Sequence, residues 1–179
     1  MAPTAIVLHG TTSAGKSSIA KALQATAPMP AFHISLDAFV TMSNRRDMRS
    51  DAERAQAYSI HCENLRATLA RVVLTHFDII LDLVLRDESQ IDACLNVLRG
   101  RPTYVVRVWA PLDVLEERER SRDDRAPGMA REQVDHPAYR RAYDLEIDTS
   151  LCTPEEGAVA VRHLIGSMED QASGQGKPL

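Results

Sequence analysis

The feature that most constrains this chain is an eight-residue stretch near its N-terminus, Gly10-Thr11-Thr12-Ser13-Ala14-Gly15-Lys16-Ser17. It matches the pattern G-x-x-x-x-G-K-[ST], in which two glycines let successive backbone N–H groups wrap around an anion. The apolar run Ala5-Ile6-Val7-Leu8-His9 precedes it and predicts a strand that is buried on both faces. A helix that begins near Lys16 would add the positive end of its dipole. The stretch therefore predicts a strand, a phosphate-binding loop and a helix, in that order.

The residues of this loop have expected roles in binding a nucleotide. Lys16 would reach the β- and γ-phosphates, and the Ser17 hydroxyl would bind Mg²⁺. The Asn-Lys-x-Asp segment with which GTPases read guanine does not occur in the sequence, so ATP is the expected nucleotide. The alternative, a glycine-rich turn with a solvated lysine, is disfavoured by the flanking strand and helix. The expected nucleotide-binding residues are Gly10, Thr11, Thr12, Ser13, Ala14, Gly15, Lys16, Ser17 and Ser18.

Strand and helix patterns alternate along the rest of the chain. A helical face is indicated by apolar residues that step by three or four positions from Tyr58 to Val72, and a second one ends before Gly100, a candidate helix C-cap. Short connections between such elements imply crossover units. We therefore expect a three-layer α/β sandwich with a five-stranded parallel sheet. The four further strands are predicted at residues 31–36, 78–84, 103–108 and 144–148.

The length and charge of the chain limit its possible domain organisation, partners and cellular location. The chain has 179 residues, and we expect residues 1–170 to form one domain and residues 171–179, which have little apolar surface, to be a disordered tail. The 25 acidic residues outnumber the 21 Lys and Arg residues, which argues against nucleic acid as a partner because phosphate neutralisation needs a basic surface. No apolar run is long enough to cross a membrane, and a basic signal-peptide region is missing, so we expect a cytoplasmic protein.

Two acidic residues follow predicted strands. Asp82 comes after Ile79-Ile80-Leu81, a position from which a carboxylate can hold Mg²⁺ or its water, although it could also simply cap the strand end. Asp37 comes after His33-Ile34-Ser35-Leu36, at the carboxyl end of the second strand, where parallel sheets form their ligand crevice. We expect Asp37 to orient an acceptor hydroxyl and take its proton, to cap a helix that starts at Ala38, or to do both.

A basic segment in the second half of the chain predicts a lid. Arg118, Arg122 and Arg125 share one face if the segment is helical, and Pro127-Gly128 would break that helix. A run of charges of this kind is usually a solvated helix face. Beside a phosphate-binding loop, however, arginines from a lid near residues 118–133 can stabilise the charge that develops in phosphoryl transfer. We therefore expect Arg118 to contact the nucleotide and Arg122 and Arg125 to be catalytic.

These motifs together resemble the chloramphenicol phosphotransferases, P-loop antibiotic kinases that are related to shikimate and nucleotide kinases. The resemblance runs from Ala5 to about Ile165. It implies a five-stranded parallel sheet, ATP with Mg²⁺, and transfer of the γ-phosphoryl group to a hydroxyl of a small molecule, with Asp37 as the base. Besides the loop, Asp37 and Ile79-Ile80-Leu81-Asp82, it depends on Arg118-Glu119-x-x-Arg122-x-Asp124-Arg125-x-x-Gly128-Met129 and on Tyr143-Asp144-Leu145-Glu146-Ile147-Asp148-Thr149.

Two departures from the family pattern bear on the acceptor. Where the family often has paired acids at the end of the third strand, this chain has Asp82-Leu83. Segment 41–58, with Arg45, Arg46 and Arg49, is shorter and more basic than the acceptor region that the family implies. Three functions therefore stay open: a kinase of a small-molecule alcohol such as an antibiotic, a nucleotide or nucleotide-sugar kinase (including toxin-like enzymes) that holds an acceptor phosphate with these arginines, and a noncatalytic ATP-binding switch.

Overall fold

The computed structural model describes residues 2–27, 30–44, 48–85, 87–121 and 128–174. Within them, five parallel strands form one sheet in the order β2-β3-β1-β4-β5. The strands are β1 (Ala5–His9), β2 (Ala31–Ser35), β3 (Asp78–Leu83), β4 (Thr103–Trp109) and β5 (Leu145–Asp148). The helices are α1 (Lys16–Thr26), α2 (Leu36–Val40), α3 (Asp51–Val72), α4 (Glu88–Val97), α5 (Leu112–Arg120), α6 (Met129–Val134) and α7 (Pro154–Gly174), with a 3₁₀ helix at Pro137–Arg140.

Helices cover both faces of the sheet and make three layers. One apolar core lies between the sheet and the side of α3 and α4, and includes Leu65 and Ile91. The other lies between the sheet and the side of α1, α5 and α7, and includes Ile19 and Val161. The central strand β1 is buried along its whole length, as its uninterrupted apolar run predicts. The predicted three-layer α/β sandwich with a five-stranded parallel sheet is confirmed.

The two predicted helical faces are present, with small corrections. Four of the five residues that were expected to pack from α3 are buried, whereas Tyr58 is exposed. Helix α4 ends at Val97 with Leu98 as its C-cap. Gly100 is therefore not the C-cap; it lies two residues later with a φ of 91°, where the chain turns towards β4.

The C-terminal helix is longer than the sequence suggested. Helix α7 runs to Gly174, so the first four residues of the expected tail are helical. Once a helix is packed over its first turns, each added residue gains a backbone hydrogen bond without a new nucleation cost. Residues 175–179 lie outside the described residues. In the described part of the chain, no helix has both the length and the apolar composition that a membrane span requires.

Candidate active site

The phosphate-binding loop leaves the carboxyl end of β1 and enters α1 at Lys16. Gly15 has a φ of 91°, a left-handed conformation that glycine adopts without strain. Gly10 is required for a different reason, because a Cβ atom there would lie 1.9 Å from the Val108 backbone oxygen. The two glycines of the motif thus allow the loop to curve tightly beside β4.

Several polar groups of the loop are directed inward. The hydroxyl oxygens of Thr11, Thr12 and Ser13 are buried and find no hydrogen-bond partner in the described part of the chain. The Lys16 ammonium donates to the Thr11 backbone oxygen at 2.7 Å, so the cation lies over the loop. Buried polar groups without partners are costly, and these lie in the same loop that the Lys16 ammonium contacts. The loop therefore fits a bound anion such as a phosphate group.

Asp82 lies in β3 directly beside the start of α1. The Ser17 hydroxyl donates to its Oδ2 atom at 2.6 Å, and the Lys16 ammonium lies 4.0 Å from Oδ1. The His33 Nε2 atom is 3.5 Å from Oδ2, which is an electrostatic contact rather than a short hydrogen bond. Burial would raise the pKa of the Asp82 carboxyl, but His33, Lys16 and Ser17 outweigh burial and lower it. Asp82 is therefore a buried carboxylate and not merely a cap at the strand end.

Asp37 lies in the first turn of α2, whose N-cap is Ser35. The expectation that Asp37 caps a helix from Ala38 is therefore wrong, because the helix starts two residues earlier, directly after β2. Asp37 is half-buried and lines a cavity of about 330 Å³ that also includes Thr12 of the phosphate loop. We call it the acceptor-side cavity. Its lining combines polar residues with apolar ones, which include Leu36, Val40, Met48, Val84 and Met129.

The wall of the acceptor-side cavity also carries a hydrogen-bonded pair, Ser43 and His61. The Ser43 hydroxyl lies 2.7 Å from Nε2 of His61, a residue of α3 that is 7% exposed, while His61 Nδ1 is buried without a hydrogen bond. Arg54 also lines the cavity, but its guanidinium is held by Asp51 and by the Met48 backbone oxygen. Arg49 is exposed and does not line the cavity. Arg45 and Arg46 lie outside the described residues.

A second cavity, of about 340 Å³, lies on the other side of the phosphate loop and includes Ser13, Gly15 and Ser18. Arg118 lines this nucleotide-side cavity. Its guanidinium donates to the Thr149 hydroxyl and to the Thr149 backbone oxygen, both at 2.8 Å, and the Thr149 hydroxyl lies 2.9 Å from the Ala14 backbone oxygen. The end of β5 and the end of α5 are thus tied to the loop.

The two ends of the predicted lid are fixed, and residues 122–127 between them lie outside the described residues. Glu119 is buried, and its carboxylate accepts hydrogen bonds from Gly128 N at 3.0 Å and Ala130 N at 3.2 Å, at the start of α6. Gln133 of α6 accepts a hydrogen bond from the Thr12 backbone N–H at 2.8 Å through Oε1. Arg122 and Arg125 lie outside the described residues, and α5 ends before them at Arg120.

Behind the loop, His9 joins three segments of the chain. Its ring is fully buried, and burial lowers its pKa to about 4. The neutral ring can donate through Nε2 to the Leu85 backbone oxygen and accept through Nδ1 from the Tyr143 hydroxyl, both at 2.8 Å. Burial also raises the pKa of Tyr143 to about 12, which keeps the phenol protonated as a donor.

The structure brings most of the predicted site residues together at the carboxyl edge of the sheet. The loop residues, Asp82 and Asp37 meet there, and Arg118 joins them from α5. Sequence reasoning missed the contributions of His33, Ser43, His61 and Gln133. No pattern at fixed spacing marks them, because each acts through a neighbour that is distant in the sequence. For Thr149, the family pattern at residues 143–149 was an indication.

The model of the chloramphenicol phosphotransferase-like family matches residues 3–165. The chain belongs to this family. Among curated proteins, no sequence match was found. The family assignment agrees with the resemblance that the loop, Asp37 and Asp82 suggested, and it extends over nearly the whole chain.

Solved structures of P-loop kinases share the fold. A putative kinase from Chloroflexus aurantiacus has a TM-score of 0.72 and 22% identity, with 93% of this chain and 97% of that chain covered. The APS kinase of Mycobacterium tuberculosis in complex with AMPPNP and APS has a TM-score of 0.68 and 16% identity, with 92% and 98% covered. The shikimate kinase of Acinetobacter baumannii in complex with shikimate has a TM-score of 0.62 and 15% identity, with 92% and 94% covered. These similarities confirm the predicted P-loop kinase fold.

Proposed function

We propose that this protein transfers the γ-phosphoryl group of ATP to a hydroxyl group of a small molecule. The observation that carries the proposal is the position of the phosphate loop between two cavities of similar size. Thr12 lines the acceptor-side cavity together with Asp37, whereas Ser13 and Gly15 line the nucleotide-side cavity together with Arg118. A loop between two cavities suits an enzyme with two substrates better than a switch that binds only a nucleotide.

The nucleotide-side cavity is the proposed site of ATP. The loop amides and Lys16 would bind the phosphates, since the buried hydroxyls of the loop have no other described partner. The adenine ring of ATP would stack against the guanidinium of Arg118. Two hydrogen bonds to Thr149 fix the orientation of this guanidinium plane. AMPPNP, an ATP analogue, is bound in the APS kinase to which this chain is similar, which supports the choice of ATP.

Ser17 and Asp82 would hold Mg²⁺, directly or through water. Their oxygen atoms lie 2.6 Å apart, and the lowered pKa of Asp82 keeps its carboxyl ionised, which is the hard oxygen donor set that Mg²⁺ prefers. When bound, the ion would offset negative charge on the β- and γ-phosphate oxygens. Ser17 and Asp82 would thus hold the ion, while Lys16 would bind phosphate oxygens directly.

Asp37 is the proposed general base. It lines the acceptor-side cavity next to the phosphate loop, where its carboxylate can orient a hydroxyl and take its proton as the oxygen attacks phosphorus. The sequence places Arg122 and Arg125 in the lid between α5 and α6, and we propose that they offset charge on the transferred group. The contacts of the described lid residues support this proposal, because Glu119 binds the start of α6 and Gln133 of α6 binds the phosphate loop.

The lining of the acceptor-side cavity favours an uncharged acceptor. Of its described lining residues, only Arg54 carries a positive charge, and Asp51 and the Met48 backbone already hold its guanidinium. An acceptor phosphate needs cations that are not already paired. The apolar side chains of the cavity instead suit an alcohol with an apolar body. The first compounds to test as acceptors are therefore antibiotics with a free hydroxyl group, beginning with chloramphenicol.

An acceptor screen tests the proposal. We would measure ADP release with MgATP and, one at a time, chloramphenicol, shikimate, APS and nucleoside monophosphates, with Lys16→Ala as the inactive control. Stimulation by an uncharged alcohol supports the proposal. Stimulation by phosphate-bearing compounds alone would make the protein a nucleotide kinase. ATP binding without stimulation by any compound would make it a switch.

A further inference from the structure

Gln133 is the least expected residue beside the phosphate loop. It lies in α6, is 4% exposed, and accepts the Thr12 backbone N–H through its side-chain oxygen Oε1. Only the oxygen of a carboxamide can accept a hydrogen bond from an N–H group, so this contact fixes the orientation of the side chain. Its Nε2 group must therefore face away from the Thr12 amide.

The Nε2 group has a defined place in the acceptor-side cavity. Gln133 lines this cavity together with Thr12 and Asp37. The bond to Thr12 is the one hydrogen bond that the described residues give the Gln133 side chain, and Nε2 is not among the fully buried unpaired atoms. Two N–H donors thus remain accessible from the cavity, at the boundary between the phosphate loop and the proposed position of the acceptor.

We propose that the Gln133 amide positions the oxygen that attacks the γ-phosphoryl group, an inference that rests on the proposed function. A hydroxyl oxygen has two lone pairs: one attacks phosphorus, and the other accepts a hydrogen bond from Nε2. The hydroxyl proton moves to the Asp37 carboxylate. The new oxygen–phosphorus bond replaces the bond to the β,γ-bridging oxygen, which leaves with its electron pair as ADP. Water in the same place gives inorganic phosphate instead of a phosphorylated acceptor.

Two substitutions separate this role from a purely structural one. Gln133→Glu keeps an oxygen that can accept the Thr12 N–H but has no N–H donor, and Gln133→Met is uncharged and loses both functions. If Gln133 only ties α6 to the loop, Gln133→Glu should retain activity. If Gln133 positions the attacking oxygen, both variants should lose activity.

The measurement uses water as the nucleophile, so it does not depend on knowing the acceptor. We would measure kcat for MgATP hydrolysis without acceptor, kcat for transfer with any compound that the acceptor screen finds, and the Kd of ADP with Mg²⁺ by calorimetry. Both variants should lower each kcat by about 10- to 100-fold, the usual range for a misplaced nucleophile, with the Kd of ADP changed less than twofold. Gln56→Glu and Gln56→Met, at an exposed position of α3 outside the cavity, are the matched controls and should change nothing.

The outcomes distinguish this inference from the proposed function. Wild-type kcat in Gln133→Glu, or an equal loss of kcat and ADP affinity in both variants, would overturn the positioning role while phosphoryl transfer to an acceptor stands. If ATP hydrolysis depends on Gln133 but no acceptor stimulates ADP release, the positioning role is supported and the proposed transfer to an acceptor is contradicted. A wild-type protein that neither hydrolyses ATP nor transfers its phosphoryl group would overturn both. Melting temperatures show whether either variant is unfolded. If one variant is unfolded, the kinetics of the other variant test the positioning role.

Discussion

The two cavities beside the phosphate loop are built in different ways. On the nucleotide side, Ser13, Gly15 and Ser18 come from one short segment, and Arg118 and Thr149 complete the wall. On the acceptor side, the loop contributes Thr12, while most of the wall consists of side chains of α2, α3 and α6 and of the end of β3. The phosphate loop is therefore encoded locally, whereas the acceptor-side cavity depends on contacts between elements that are distant in the sequence.

The largest effect is expected on the nucleotide side, from Lys16→Ala. A cation on the transferred phosphoryl group is worth roughly 10³ to 10⁵ in rate in phosphoryl-transfer enzymes, so transfer should fall by about that factor. Because Lys16 projects over the loop and does not fill a core, the melting temperature should stay close to that of the wild type. Lys21→Ala, at an exposed position of α1, is the matched control. Retention of more than a few per cent of the transfer rate would contradict the assignment of the loop.

Asp37→Asn should affect phosphoryl transfer to the acceptor without affecting nucleotide binding. Loss of the proton acceptor should lower transfer by about 10²- to 10⁴-fold, with ADP affinity unchanged. Asp37 is not the N-cap of α2, so the stability change should be small, up to about 1 kcal/mol from the helix dipole. Asp113→Asn, another first-turn aspartate that is exposed in α5, is the control. Transfer at the wild-type rate would mean that the base is another residue, with Asp82 the next candidate.

His9 lies behind the phosphate loop, which contributes to both cavities. Protonation of His9 at low pH should therefore destabilise the whole fold rather than one cavity. In the unfolded chain a histidine binds a proton below about pH 6.5, whereas folded His9 does so only below about pH 4. The unfolded state therefore gains the proton first, and stability should fall by on the order of 3 kcal/mol as the pH decreases from 6.5 to 4. Urea unfolding at pH 7 and 4.5 measures this loss, because the lowered pKa of Asp82 affects stability mainly below that range.

The His9 variant isolates this contribution. His9→Gln should be less stable than the wild type at pH 7, because it loses the ring contacts, but its stability should depend less on pH over the same range. His163→Gln, at an exposed position of α7, should keep the wild-type pH dependence. Equal pH dependence in His9→Gln and the wild type would show that other groups cause the acid sensitivity.

The smallest effect is expected from Ser43→Ala, which tests whether the pair with His61 contacts the acceptor. One neutral hydrogen bond is worth about 1 kcal/mol, so the KM of the acceptor should rise about fivefold while the KM of ATP stays constant. Ser59→Ala, at an exposed position of α3, is the control. A rise in the KM of ATP of the same size would show that the pair supports the fold of the whole site rather than the acceptor side.

The fold was largely predictable because its central elements are encoded by local patterns. The apolar run of β1 and the loop after it predicted a parallel sheet and a strand–loop–helix unit, and the structure has both. Predictions at element ends were weaker, because an end depends on one or two hydrogen bonds. Ser35, and not Asp37, is the N-cap of α2, and Gly100 lies two residues beyond Leu98, the C-cap of α4.

The sequence by itself determined the phosphate site, since the conformation of the loop and the start of α1 follow from the residues at 10–18 and their immediate neighbours. Only the tertiary structure decided what surrounds that site. The sequence marks Glu119 only as a member of the family's charged pattern, whereas the fold buries it against the N–H groups at the start of α6. Gln133 meets Thr12 across 121 positions of sequence for the same reason. Such contacts satisfy buried polar groups, and which groups become buried is fixed only when the helices pack against the sheet.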